Sequence, residues 1–211
     1  MNIAFINGSP KVKDSASGQV LTTLSKRLSL GNEIREYHFL SSQVEAEVLA
    51  DIADCQVMVF AFPLYVDAIP AHLLNCLCQM ETFFKTIHKS DITVYGLVNC
   101  GFYESNQNAL ALEILENWCC HCGLTWGQGM GIGGGGMLSM LAQVPEGKGP
   151  NSNFTNSLES FSDHIKKRET WENVYINPNF PRFAYKLAAE AGWRQMVRRN
   201  GLKTRDLFTK K

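Results

Sequence analysis

Short apolar runs alternate with helix-period segments along the first 170 residues of the chain. Five runs are rich in β-branched and aromatic residues, and the intervening segments carry apolar side chains every three or four positions. The runs predict strands at 2–6, 33–39, 56–62, 92–98 and 124–131. The periodic segments predict helices at 18–30, 44–53, 71–84, 105–119 and 155–167, the fourth with Ser105 as its N-cap.

The strand at 56–62 is apolar at every position after Gln56, which indicates burial on both faces, as in a parallel sheet covered by helices. Strand-then-helix units with right-handed connections predict an α/β fold, a doubly wound sheet of five parallel strands. Such sheets bind ligands beyond the carboxyl ends of their strands. We therefore expect the loops after the first, third and fourth strands to carry the function.

Composition limits the classes of protein to which this chain can belong. With 45% hydrophobic and 19% charged residues, the chain has an ordinary globular composition. No apolar run reaches the length of about 18 residues that a transmembrane helix requires, and the start lacks the basic segment of a signal peptide, so we expect a cytoplasmic protein. The seven irregularly spaced cysteines favour reduced thiols. The C-x-x-C pair Cys119 and Cys122 has no second cluster to complete a zinc site, so no metal is expected.

Charge separates the end of the chain from the rest. Residues 1–170 hold 11 Lys and Arg against 17 Asp and Glu, whereas residues 171–211 hold 9 against 3. We therefore predict one domain at 1–170 and a basic helical extension at 171–211, with a helix around 184–200 that ends before Gly201. The extension suits packing on its own domain or on a second subunit, or peripheral contact with an anionic membrane. No motif supports binding to nucleic acid.

The loop after the first strand is rich in anion-binding groups. Ser9, Ser15 and Ser17 supply hydroxyls, Lys11 supplies a cation, and the following helix begins with backbone N–H groups at the positive end of its dipole. The spacing matches neither the P-loop of nucleotide triphosphatases nor the dinucleotide fingerprint. A phosphate group and a serine-capped turn without a ligand are both compatible with this loop alone.

Two further loops show patterns of their own. The third strand is followed by a segment bounded by Pro63 and Pro70, which fix the backbone and remove donors. The fourth is followed by Asn99-Cys100-Gly101, where glycine permits close approach of the backbone. The glycine-rich segment 127–136 after the fifth strand is interpreted as an adaptable loop that borders a substrate pocket.

Together these loops resemble the flavodoxin-like NAD(P)H-dependent FMN reductases and quinone reductases. The resemblance rests on Gly8-Ser9-Pro10-Lys11 with Ser15 and Ser17, on Pro63-Leu64-Tyr65 leading to Pro70-Ala71, and on the small-residue loop at Asn99. It implies a flavodoxin-like sheet of order 2-1-3-4-5, a homodimer, and FMN held by these loops. Lys11 stands where many members have arginine, so a point charge replaces a bidentate grip.

The resemblance also implies which residues contact the cofactor. The phosphate is expected at Ser9, Lys11, Ser15 and Ser17. The ring is expected along the other two loops, at Pro63, Leu64, Tyr65, Val66, Asn99, Cys100, Gly101 and Tyr103. No catalytic side chain is implied, because the flavin carries the chemistry.

Three functions stay open from the sequence. The first is an oxidoreductase in which NAD(P)H passes a hydride to flavin N5, and a quinone, free flavin, nitro or azo compound is then reduced. The second is a flavodoxin-type electron carrier that binds FMN but reacts poorly with NAD(P)H. The third is a relative of this fold that has lost the flavin and serves as an interaction domain.

Overall fold

The computed structural model describes residues 1–88, 91–138 and 144–209. Its centre is a six-stranded sheet in the order β2-β1-β3-β4-β5-β6, in which every neighbouring pair is parallel. The strands are β1 Asn2–Asn7, β2 Glu33–His38, β3 Val57–Pro63, β4 Thr93–Asn99, β5 Thr125–Ile132 and β6 Val174–Ile176. The helices are α1 Ala16–Leu28, α2 Ala46–Ala53, α3 Ala71–Ile87, α4 Ala109–Cys122, α5 Ser152–Lys167 and α6 Arg182–Arg199.

Alternation along the strands divides the core between two faces of the sheet. On β3, Met58 and Phe60 pack in a cluster with side chains of α2, α3 and α4, whereas Val57 and Val59 pack with side chains of α1 and α5. Every residue of β4 is buried. The prediction of an α/β, doubly wound parallel sheet with β1 to β5 in the order 2-1-3-4-5 is confirmed.

The strand count is larger than predicted. A sixth strand, β6, pairs with Met130–Ile132 at the edge of the sheet. Its three residues are too few to show a period-two pattern, and they lie inside the segment that the charge count assigns to the basic extension.

Several elements begin one to four residues away from their predicted starts. The fourth helix does not start at Ser105 with that residue as cap: Ser105–Asn108 forms a short 3-10 helix, Glu104 stands at the cap position, and α4 follows. Helix α1 starts earlier than expected, with Ser15 as its N-cap. The segment 127–136 is not simply a loop, because β5 extends to Ile132.

The chain divides into two compact units, Met1–Pro178 and one that begins at Asn179. The predicted boundary after residue 170 therefore differs from the observed division, since 171–178 belongs to the first unit. In the second unit, α6 has no buried residue, and Phe183, Trp193 and Met196 are exposed. Gly201 has φ 73°, the left-handed conformation expected just beyond a helix end. The last two residues of the predicted extension lie outside the described part.

No helix among the described residues is both long enough and apolar enough to cross a membrane.

A polar cluster ties α5 to β5 and to the segment that precedes β6. His164 Nδ1 lies 2.8 Å from Oε1 of the buried Gln128, whose Nε2 donates to the Glu172 carbonyl at 2.8 Å. The imidazole stacks on Trp171 with ring centroids 4.6 Å apart. Burial lowers the pKa of His164 below its ordinary value. Native His164 therefore takes up a proton less readily than the same residue in the unfolded chain.

We predict that this histidine makes the fold sensitive to mild acid. Below pH 6.5, the ordinary histidine pKa, the unfolded state binds more protons at His164 than the native state does, so the free energy of unfolding falls as pH falls. Urea unfolding at pH 7.5 and 5.5 should show a smaller loss in His164→Gln than in the wild type. His121→Gln, at an exposed histidine, is the matched control. Equal losses in His164→Gln and the wild type would contradict the prediction.

Candidate functional site

A cleft of about 330 Å³ opens at the carboxyl ends of β1, β3, β4 and β5. This is within the size range of small-molecule and cofactor sites, roughly 300–1,000 Å³. Nine of the twelve predicted contact residues line it: Ser9, Lys11, Ser15, Ser17, Pro63, Leu64, Tyr65, Asn99 and Gly101. The cleft is also lined by Asp14, Ala16 and Gln19, which were not predicted, and by Gly135 and Gly136 from the segment 127–136 that was predicted to border a substrate pocket.

One end of the cleft is formed by the start of α1. Ser15 caps the helix by accepting a hydrogen bond from the Gly18 amide at 3.0 Å. Within the described residues, the backbone amides of Ala16 and Ser17 have no acceptor. Both residues line the cleft. Donors of this kind, at the positive end of a helix dipole, suit an anionic ligand.

The loop before α1 is held by its own groups. Lys11 Nζ donates to the Asp14 carbonyl at 2.9 Å, and the Lys11 amide donates to Ser9 Oγ at 3.3 Å. Asp14 has φ 52°, a left-handed conformation that aspartate and asparagine tolerate better than most residues. The loop thus places a cation and a carboxylate at the same end of the cleft, whereas only the cation was predicted.

The other end is formed by three loops. After β3, Tyr65 and Ala68 exchange two backbone hydrogen bonds of 3.1 Å, which makes a tight hairpin with Val66 and Asp67 at its tip. Both tip residues have positive φ, 49° and 57°. A β-branched residue rarely adopts this conformation. Val66 is 97% exposed and does not line the cleft, so its predicted place along the ring differs from its place in the structure.

Asn99 joins the two ends of the cleft. Its Oδ1 accepts a hydrogen bond of 2.8 Å from Ser17 Oγ, and its carbonyl accepts one of 2.8 Å from the Leu64 amide. The side chain is almost completely buried, and its Nδ2 lies beside Gly135. One residue at the end of β4 therefore sets the spacing between the loops that follow β1, β3 and β5.

Two predicted contacts point away from the cleft. Cys100 is buried and does not line it, and burial raises the pKa of its thiol, which keeps the group protonated at neutral pH. The Tyr103 hydroxyl donates to the carbonyl oxygen of Pro178 at 3.3 Å. Gly101, which lies between these two residues in the chain, does line the cleft, whereas Cys100 is covered by the protein and Tyr103 reaches the segment after β6.

Glycines of the segment after β5 allow two loops to pair through their backbones. The Gly134 amide donates to the Phe102 carbonyl at 2.6 Å, and the Gly135 amide donates to the Cys100 carbonyl at 2.7 Å. A side chain at Gly133 would overlap the carbonyl oxygen of Tyr103. The glycine run at a strand end was the available sign of this close approach, since glycine is the residue that lets two backbones meet.

No protein-family model matches the chain, and no curated protein matches it. Solved structures do match it. An NADH:FMN oxidoreductase in its apo form aligns over 80% of this chain and 90% of its own, with a TM-score of 0.60 and 15% identity. The fold is flavodoxin-like.

Two other solved structures share the flavodoxin-like fold. An FMN-dependent NADH-azoreductase from Bacillus anthracis str. Ames Ancestor, in complex with FMN, aligns over 78% of this chain and 98% of its own (TM-score 0.55, 14% identity). A flavodoxin from Streptococcus pneumonia TIGR4 aligns over 79% and 99% (TM-score 0.52, 10% identity). At these identities the similarity shows the flavodoxin-like fold and no activity.

We predict that Gly133 is required for the pairing of the two loops. Gly133→Ala forces a methyl group against the Tyr103 carbonyl and should lower the free energy of unfolding by about 2 kcal/mol, the typical cost of overpacking. Gly136→Ala is the matched control, because a side chain there meets no atom of the described residues within 4 Å. Thermal unfolding of both variants checks this. A loss of the same size in Gly136→Ala would show that the loop is sensitive to any change.

Proposed function

We propose that this protein binds FMN in the cleft and uses it as an NAD(P)H-dependent oxidoreductase. The observation that carries the proposal is the make-up of the cleft. One end has the amides of Ala16 and Ser17 with Lys11, and the other end has Gly101 and Gly135, which line it without a side chain. The flavodoxin-like fold supports it, since similar solved structures include an NADH:FMN oxidoreductase and an FMN-dependent azoreductase.

The described residues fit the cofactor. Ser9, Ser15, Lys11 and the first turn of α1 would hold its phosphate. Pro63–Tyr65, Asn99, Gly101 and Gly135–Gly136 would border its ring. Bound FMN would supply the chemistry, accepting a hydride from NAD(P)H and passing electrons to a quinone, flavin, nitro or azo acceptor. Tyr65 is about half exposed beside the cleft, where it would limit access of solvent and substrates.

We predict that Lys11 contributes to phosphate binding. Lys11→Ala should raise the Kd for FMN about tenfold, the usual worth of a charge-assisted hydrogen bond, and leave the Kd for riboflavin unchanged. Lys13→Ala removes the same charge from a residue that does not line the cleft and should have little effect. Fluorescence titration of both flavins measures these constants.

Removal of the nearby Asp14 carboxylate should have the opposite effect on the Kd for FMN. Asp14→Asn keeps a residue that tolerates positive φ but removes the negative charge, so FMN should bind a few times more tightly. If neither Lys11→Ala nor Asp14→Asn alters the preference for FMN over riboflavin, the phosphate does not lie at the start of α1.

A second candidate function is electron transfer by a flavodoxin-type carrier. The observation that favours it is charge: the first unit, which contains the whole cleft, holds 11 Lys and Arg against 18 Asp and Glu. An acidic unit suits docking on basic redox partners. A flavodoxin is also among the solved structures that share this fold.

Reduction of the FMN-loaded protein by NADH and NADPH separates the two functions. For an oxidoreductase we expect stopped-flow bleaching of the flavin much faster than that of free FMN, and steady oxidation of NAD(P)H when a quinone is present. A rate no faster than that of free FMN would favour the carrier. A protein that binds no FMN would contradict both and favour an interaction domain.

The homodimer and the cytoplasmic location stay predictions. The exposed apolar side chains of α6, together with its basic residues, support a role for the second unit in contacts with a partner surface.

A further inference from the structure

Strand β6, which was not predicted, and the residue after it contact the loops that follow β4 and β5. The Ile176 carbonyl accepts a hydrogen bond of 2.9 Å from the Gly133 amide. Asn177 Oδ1 accepts two hydrogen bonds, from the Ser105 amide at 2.8 Å and from Ser105 Oγ at 2.9 Å. Neither Ile176 nor Asn177 lines the cleft. They bind the loops that border the cleft without lining the cleft themselves.

Asn177 caps the 3-10 helix at Ser105–Asn108, although it lies far from that helix in the sequence. The 3-10 helix Ser105–Asn108 begins without a side-chain cap from Glu104, the residue at the cap position. Ser105 is only 1% exposed, so its amide depends on a protein acceptor rather than on water. The carboxamide oxygen of Asn177 is that acceptor. Asn177 itself is exposed, so a substitution there leaves the core packing unchanged.

The same two bonds fix one end of the loop between β4 and the 3-10 helix. The other end is fixed at Cys100, whose amide donates to the Ile132 carbonyl at 3.0 Å. Between these anchors lies Gly101, which lines the cleft. The position of Gly101 against a ligand therefore depends on the anchor at Ser105, and through it on Asn177, together with the hydrogen bonds that the flanking Cys100 and Phe102 carbonyls accept from the Gly135 and Gly134 amides.

We propose that Asn177 is a positioning residue of the flavin site: by holding Ser105, it sets how closely the loop at Gly101 approaches bound FMN. The inference rests on the proposed binding of FMN. The loop's backbone dipoles would border the ring of FMN bound in the cleft, so their displacement would change the affinity for FMN and also the redox potential of the bound flavin.

The test compares three variants by FMN titration and by potentiometry of the FMN-loaded protein. Asn177→Ala should raise the Kd for FMN about fivefold and shift the midpoint potential of bound FMN, because the buried Ser105 amide loses its acceptor. Asn177→Asp keeps an acceptor oxygen at the helix start and should restore most of the affinity.

Asn173→Ala is the matched control from the other end of β6. Asn173 Oδ1 accepts hydrogen bonds from the Gly129 amide at 2.6 Å and from Trp126 Nε1 at 3.1 Å, and neither partner lines the cleft. This variant should lower the melting temperature and leave the Kd and the midpoint potential unchanged.

Two results would overturn the inference. If Asn177→Ala and Asn173→Ala change the Kd and the potential equally, or if Asn177→Ala changes neither, Asn177 only stabilises the fold. If the wild-type protein itself binds no FMN, the proposed function fails first and the role of Asn177 toward a flavin fails with it. The wild-type titration thus separates the two failures.

Discussion

Burial of the central strands on both faces is the constraint from which the rest of this molecule follows. A strand whose side chains are all covered by helices has no surface on which to carry polar chemistry. In β3 and β4, the most buried strands, functional groups can stand only at the ends. Since all strands are parallel, their carboxyl ends meet at one edge, and the loops after β1, β3, β4 and β5 share one cleft.

The two ends of that cleft present different groups to a ligand. The end at α1 relies on helix amides, hydroxyls and one lysine, which together complement a negative charge. The opposite end relies on backbone edges that lie close together because glycine allows it. Asn99 holds the two ends at a fixed distance through its bonds to Ser17 and Leu64. Rigid spacing of this kind is what a cofactor with a charged end and a flat ring requires.

The five main strands and most residues of the cleft could be predicted from local patterns, whereas the strand order 2-1-3-4-5 was implied by the resemblance to flavodoxin-like reductases. Buried strands show as apolar runs, and Ser9, Lys11 and Ser17 show as phosphate-binding groups next to a helix start. What the sequence did not predict depends on contacts between distant residues. Nothing near Tyr103 indicates that its hydroxyl reaches Pro178, and nothing near Ser105 indicates that Asn177 caps it. β6 was missed because three residues are too few to form a pattern.

An anionic cofactor held at the start of α1 would protect the backbone amides there from exchange with solvent. Hydrogen–deuterium exchange of the protein alone, with riboflavin and with FMN tests this placement most directly, because it reports on individual backbone segments. We expect FMN to slow exchange at the segment that contains the Ala16 and Ser17 amides, and riboflavin, which lacks the phosphate, to leave it fast. Equal exchange at this segment in all three samples, or protection by FMN at a different part of the chain, would contradict it.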